Sequence, residues 1–189
     1  AATSHTHPIC GQTCSHNTDT GGTKHPETTF EKKLYSEGNY KWYTKTGMGS
    51  ADKLEFDDKN KQWKLPAGNY YLSGDTSDPV CTEYTIKIQG DVTICLNGKQ
   101  IKKTTGDATP VFEVPSGFTL TLTNCKDSGK VTCGTTSSDS GSGVYVNGGT
   151  FNLYKGQITG NKGQKGNKDT DRRGGGVYVE ANGTFNMYD

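Results

Sequence analysis

Thr150-Phe151-Asn152-Leu153 is the stretch from which the fold can be read. Its form is a threonine, an apolar residue, a variable residue and a second apolar residue. It returns at Thr93-Ile94-Cys95-Leu96, Thr119-Leu120-Thr121-Leu122 and Thr184-Phe185-Asn186-Met187. An apolar pair lies upstream of each: Ile86/Ile88, Phe112/Val114, Val144/Val146 and Val177/Val179. A third apolar segment follows three of them, marked by Ile101, Val131 and Ile158, and the fourth would need its own just beyond Asp189, so the chain reads as stopping inside a repeat.

Strict alternation sends successive side chains to opposite faces, and segments this short cannot complete a helical period, so they are expected to be strands. The equivalent residues Leu96, Leu122, Leu153 and Met187 advance by 26, 31 and 34 residues, which suits stacked repeats that share strands and differ in their loops. The expected architecture is an all-β solenoid, a parallel β-helix with three strands per rung. Strands of successive rungs would pair about 4.8 Å apart, each inward residue standing on its counterpart. Ile94, Leu120, Phe151 and Phe185 are then expected to form one buried column, and Leu96, Leu122, Leu153 and Met187 a second.

Composition agrees with a narrow core. Hydrophobic residues make up 29% of the 189 and glycine numbers 26, too thin a balance for an ordinary globular interior but sufficient for a column of inward residues with polar corners. Lys plus Arg is 21 against 20 for Asp plus Glu, which supplies no global attraction to nucleic acid or to an anionic membrane. No apolar stretch approaches bilayer-spanning length, and Ala1-Ala2-Thr3 reads as a processed or trimmed start. Six cysteines in a chain rich in Thr, Ser, Asn and Gly fit an exported protein whose thiols can oxidise.

Three regions are expected. Residues 1–28 carry all four histidines (His5, His7, His16, His25) with Cys10 and Cys14, lack apolar periodicity and need a staple. Either a structural zinc held by four of His7, Cys10, Cys14, His16 and His25, or a disulfide between Cys10 and Cys14, would serve. Residues 29–66, with Phe30, Leu34, Trp42, Leu54, Phe56 and Trp63 between charged turns, read as short strands capping the open end of the solenoid. Residues 67–189 read as the parallel β-helix, incomplete at its C-terminal end, whose first strand-like stretch is Leu65 to Leu72.

The run Gly141-Ser-Gly-Val144-Tyr145-Val146-Asn-Gly-Gly-Thr150-Phe151-Asn152-Leu153-Tyr154, continued by Gly156-Gln-Ile158-Thr-Gly-Asn161, resembles the repeats of right-handed parallel β-helix surface proteins of Gram-positive gut anaerobes. So does Gly174-Gly-Gly-Val177-Tyr178-Val179. Val92 to Ile101 resembles the strand and turn with which such helices begin, and His5 to His16 resembles their N-terminal preface. The resemblance covers most of the chain outside residues 29–64. It implies the right-handed fold, an N-terminal piece of a larger bacterial protein, and a secreted or cell-wall-attached location. It implies no activity, because β-helices host lyases, glycosidases, adhesins and toxins alike.

Outward positions set the surface chemistry. On the first strand of each rung they are Lys87, Glu113, Tyr145 and Tyr178; on the second they include Thr121, Asn152 and Asn186, with Tyr154 and Tyr188 just beyond. Polysaccharide cleavage needs ionisable groups converging on one sugar, and Glu113 beside Lys87 does not supply a carboxylate cluster. Asn17-Thr18-Asp19 matches one piece of a polygalacturonase signature without its companions and reads as chance. The tyrosine pairs could be platforms for the aliphatic faces of sugar rings, with Asn and Thr bonding the hydroxyls, or could simply stabilise their own stack. The loop 162–175, with Lys165, Lys168, Arg172 and Arg173, is locally basic. It reads either as a solvated insertion or as a binding edge.

Of the remaining cysteines, Cys125 and Cys133 flank the turn Lys126-Asp127-Ser128-Gly129 and are expected to bridge, and Cys95 is expected to pair with Cys81. The reading that results is a non-enzymatic, adhesin-like monomer that binds a host glycan or host protein, with no nucleic-acid partner and no membrane insertion. Its alternatives are a polysaccharide lyase or glycoside hydrolase whose catalytic rungs lie beyond Asp189, and a binder of a host protein such as an immunoglobulin.

Overall fold

The computed structural model describes residues 3–6, 13–16, 30, 32–37, 41–46, 48–73, 80–105, 109–126, 128–133, 142–161 and 175–188, the first two segments as backbone alone. These residues form strands joined by turns and bends, and no helix. Strands β1 (Thr3–Thr6) and β2 (Thr13–His16) pair with each other antiparallel. Then come β3 (Lys32–Glu37), β4 (Lys41–Thr46) and β5 (Ala51–Lys53), an antiparallel meander, and β6 (Glu55–Asp57), antiparallel to β7 (Gln62–Leu65).

From β7 onward every strand pairs in parallel with the strands that follow it in its sheet. The strands are β8 (Gly68–Leu72), β9 (Val80–Thr82), β10 (Thr85–Ile88), β11 (Val92–Cys95), β12 (Gln100–Lys103), β13 (Phe112–Pro115) and β14 (Thr119–Thr123). They continue as β15 (Lys130–Cys133), β16 (Val144–Asn147), β17 (Thr150–Leu153), β18 (Gln157–Ile158), β19 (Val177–Val179) and β20 (Thr184–Met187). Every third strand joins the same sheet. A first sheet runs β6-β7-β10-β13-β16-β19, a second β5-β4-β3-β8-β11-β14-β17-β20 and a third β9-β12-β15-β18. This order is compatible with the three-strand repeat expected from the apolar spacing, and Ile101, Val131 and Ile158 align on the third sheet. In the first sheet the parallel stacking begins at Gln62, upstream of the Leu65–Leu72 stretch expected to open it.

The inward rows form one core. In the first sheet Trp63, Ile86, Phe112, Val144 and Val177 stand in register. In the second sheet one column is Val92, Leu120, Phe151 and Phe185, and another is Tyr70, Ile94, Leu122, Leu153 and Met187. The upper three members of each column stand in the expected register, but Phe185 and Met187 are exposed rather than buried, and the lowest member of each column differs. Ile94 stacks on Leu122 rather than Leu120, and Leu96 lies beyond its strand, so this step advances 28 residues (Ile94 to Leu122) instead of 26.

The cause is the corner between β10 and β11. It needs only Gln89-Gly90-Asp91, because Gly90 approaches Ala67 so closely that a Cβ there would lie 2.7 Å from the alanine methyl. The backbone N–H of Gly68 donates to Asp91 O at 3.0 Å, and Thr119 N donates to Asp91 Oδ1 at 2.8 Å. The register with the next strand therefore shifts by two residues. Leu96 is left to fill the next corner, fully buried, its N–H donating to Thr123 O.

At the N-terminal end β3 adds to β8, still parallel, through Lys32↔Tyr70 and Leu34↔Leu72, and β4 and β5 follow it outward in antiparallel pairing. Phe30, Leu34, Trp42 and Leu54 are buried there, and Phe56 packs on Trp63 and Tyr84 at 4.6 and 5.0 Å between ring centroids. At the other end Phe151 is fully buried, whereas Phe185 is 36% and Met187 73% exposed. The difference follows from position: β20 is the outermost strand of its sheet among the described residues.

Candidate functional site

The outward row of the first sheet is built strand by strand. Glu55 on β6 faces Lys64 on β7, Lys64 faces Lys87 on β10, Lys87 faces Glu113 on β13, and Tyr145 and Tyr178 complete the row on β16 and β19. Two lysines at strand spacing repel, so each is bracketed by a carboxylate on its far side. Lys64 forms an ion pair with Glu55, whose hydrogen bond holds that ammonium above the usual lysine range. Lys87 Nζ lies 2.9 Å from Glu113 Oε1, and Gln62 Nε2 donates to Glu113 Oε2 at 2.7 Å. Both oxygens of Glu113, a buried residue, are thus committed to neighbours. Sequence reasoning missed Gln62. Its only signal is a polar residue at the start of a strand otherwise alternating Trp63 and Leu65 inward.

Tyr145 and Tyr178 stack at 5.4 Å with 15° between their planes. On the neighbouring second sheet the outward row is Asn69, Thr93, Thr121, Asn152 and Asn186. The amide of Asn186 donates to Asn152 Oδ1 at 2.9 Å, and Asn152 Nδ2 lies 3.5 Å from Thr121 Oγ1. Tyr154 and Tyr188 stack just past this row at 4.3 Å and 23°. Burial pushes the Tyr154 phenol above its ordinary range, and Tyr188 adds to the effect. The six surface residues singled out in the sequence therefore form two strips. Tyr145 and Tyr178 belong to one sheet; Asn152, Asn186, Tyr154 and Tyr188 are grouped along the next. All six are half-buried.

The cysteines are arranged differently from the expectation. No bond joins Cys81 to Cys95 or Cys125 to Cys133. Instead Cys95 Sγ lies 3.3 Å from Cys125 Sγ, in a buried cluster with Phe30 and Tyr71. The reason is topological. Residues close in sequence turn into different sheets, Cys133 standing beside Lys103 on the third, whereas residues a full repeat apart stack in the same one. Lys103 is a further departure from pattern: it occupies an inward position between Thr82 and Cys133, fully buried, with Nζ 2.8 Å from Thr105 Oγ1.

The remaining expectations fall outside the described residues. These are His7, Cys10 and His25 of the zinc-or-disulfide preface and Lys165, Lys168, Arg172 and Arg173 of the basic loop. Cys14 and His16 are placed as backbone only, on β2, paired with His5 and Thr3. Comparison with protein-family models, with curated proteins and with solved structures finds no match to this chain.

Proposed function

We propose that this chain is a right-handed parallel β-helix from a secreted or wall-attached bacterial surface protein, which binds a host or environmental macromolecule through an outward strand face without turning it over. The dealing of successive strands to three parallel sheets supports the helical part of this reading. The observation that carries the binding part is the pair Asn152 and Asn186, standing above the buried Thr121, with the Tyr154/Tyr188 stack beside them on one sheet. Stacked rings offer an apolar platform for sugar faces or for apolar peptide side chains, and a line of amides and hydroxyls offers donors and acceptors at strand spacing. Glu113, the carboxylate on the adjacent face, is engaged by Lys87 and Gln62 and so is poorly disposed to act as a general acid or base. An anionic glycan or an acidic protein surface is the favoured partner, because the basic loop 162–175 belongs to the same part of the chain as the strip.

The test is a glycan and host-protein binding array with the intact chain, followed by Tyr154→Ala with Tyr188→Ala, and separately by Lys165→Ser, Lys168→Ser, Arg172→Ser and Arg173→Ser together. Each set is expected to weaken association while the circular dichroism spectrum is retained. The loop's contribution should also fade with salt, as the screening length falls to about 8 Å at physiological ionic strength. Affinity indifferent to salt and to the four loop substitutions removes the basic edge. Release of reducing ends or unsaturated products from a polyuronide overturns the non-enzymatic reading.

A further inference from the structure

Cys95 closes β11, and Cys125 lies in the bend that follows β14, the next strand of the same sheet. The strand register sets Cys95 opposite Thr123, so Cys125 stands past the strand end, above the Asn97 corner, with its Sγ 3.7 Å from Asn97 Oδ1. From there its thiol turns back toward Cys95, to 3.3 Å. Closing that gap to the disulfide length of about 2.05 Å asks the two sulfurs to approach by a little over an ångström. Phe30 and Tyr71 share the buried cluster with the two thiols, and Cys95 is fully buried while Cys125 retains 7% exposure.

We propose that Cys95 and Cys125 are a cross-repeat oxidation site, which a low-molecular-weight disulfide such as oxidised glutathione converts to an intramolecular disulfide. Cys125, the more exposed of the two, gives up its proton and attacks one sulfur of the small disulfide, forming a mixed disulfide and releasing one small thiol. The Cys95 thiol, deprotonated in turn, attacks the Cys125 sulfur; the new bond forms and the second small thiol leaves. Two protein thiols are oxidised and one small disulfide is reduced to two thiols. The bond joins residues 30 apart and fastens two neighbouring repeats together beside the packing of Phe30. The inference is independent of what the outward rows bind.

The experiment is peptide mapping of the native chain after incubation with oxidised glutathione, alkylation of remaining thiols and tryptic digestion. The expected product joins the peptide 88–99 to the peptide 104–126, with the loss of two hydrogens. The same link is expected when reduced, denatured protein is refolded in a glutathione buffer, which removes burial as a barrier to reaction. Oxidation should raise Tm by roughly 5–15 °C, reversibly with a dithiol reductant. Cys95→Ala should lose that reductant-sensitive shift, and Cys81→Ala should keep it. A link of 65–87 to 88–99 or of 104–126 to 131–155, or Cys95 and Cys125 both recovered alkylated after both treatments, overturns the proposal.

Discussion

Replacing Phe151 with alanine tests the stacked core directly. Phe151 is fully buried, stands between Leu120 and Phe185 in the second sheet, and stacks on Phe185 at 5.2 Å with 8° between the rings. Truncating a buried phenylalanine costs about 3–5 kcal/mol, made up of lost transfer energy and the cavity left behind. Phe185→Ala should cost about 1–2 kcal/mol, because that ring is 36% exposed and packs on one face only. Since the two rings touch, the double variant should depart from additivity by about 0.5–1.5 kcal/mol. Equilibrium urea unfolding reads all three, the expected signature being a lower midpoint at constant slope. The transition should be followed by circular dichroism and by tryptophan fluorescence together. Both tryptophans, Trp42 and Trp63, lie toward the N-terminal end, and repeat arrays can unfold in parts. A cost for Phe151→Ala below about 1 kcal/mol, or no larger than that of Phe185→Ala, would refute the column.

Gly149→Ala should destabilise by about 1–3 kcal/mol, because a Cβ there would lie 2.4 Å from Pro115 O and 2.7 Å from Phe118 O, backbone atoms of the preceding repeat that cannot swing aside; a neutral midpoint in urea would contradict the corner. The Tyr70 phenol is pushed up to about 12 by burial, its hydroxyl donating to Pro66 O at 2.9 Å. Below about pH 10 both folded and unfolded chains hold that proton, and between about 10 and 12 only the folded chain does, so up to about 2–3 kcal/mol of stability is lost as pH rises through that window. Tyr70→Phe should therefore be less stable by about 1 kcal/mol near neutrality, through the lost hydrogen bond, and the deficit should shrink above pH 10. A gap between the two proteins that stays constant to pH 11 would contradict it.

Alternation alone determined which face each residue takes. Lys87, Glu113, Tyr145 and Tyr178 point outward in one row, and Ile86, Phe112, Val144 and Val177 point inward, as read from the sequence. The reason is that a strand's side-chain period of two is local and needs no knowledge of neighbours. Register is not local. A slip by one residue would turn every apolar side chain to solvent, whereas a slip by two keeps each on its own face. The spacing that aligned Ile94 with Leu120 was therefore as consistent with burial as the pairing Ile94↔Leu122 that the Gly90 corner imposes. The same limit governs the site. That Asn152 and Asn186 would share a face was legible in the sequence. That Gln62 reaches Glu113 across an intervening strand, and that Cys95 meets Cys125 rather than Cys81, depended on how much chain each corner consumes, which only the stacked tertiary structure decides.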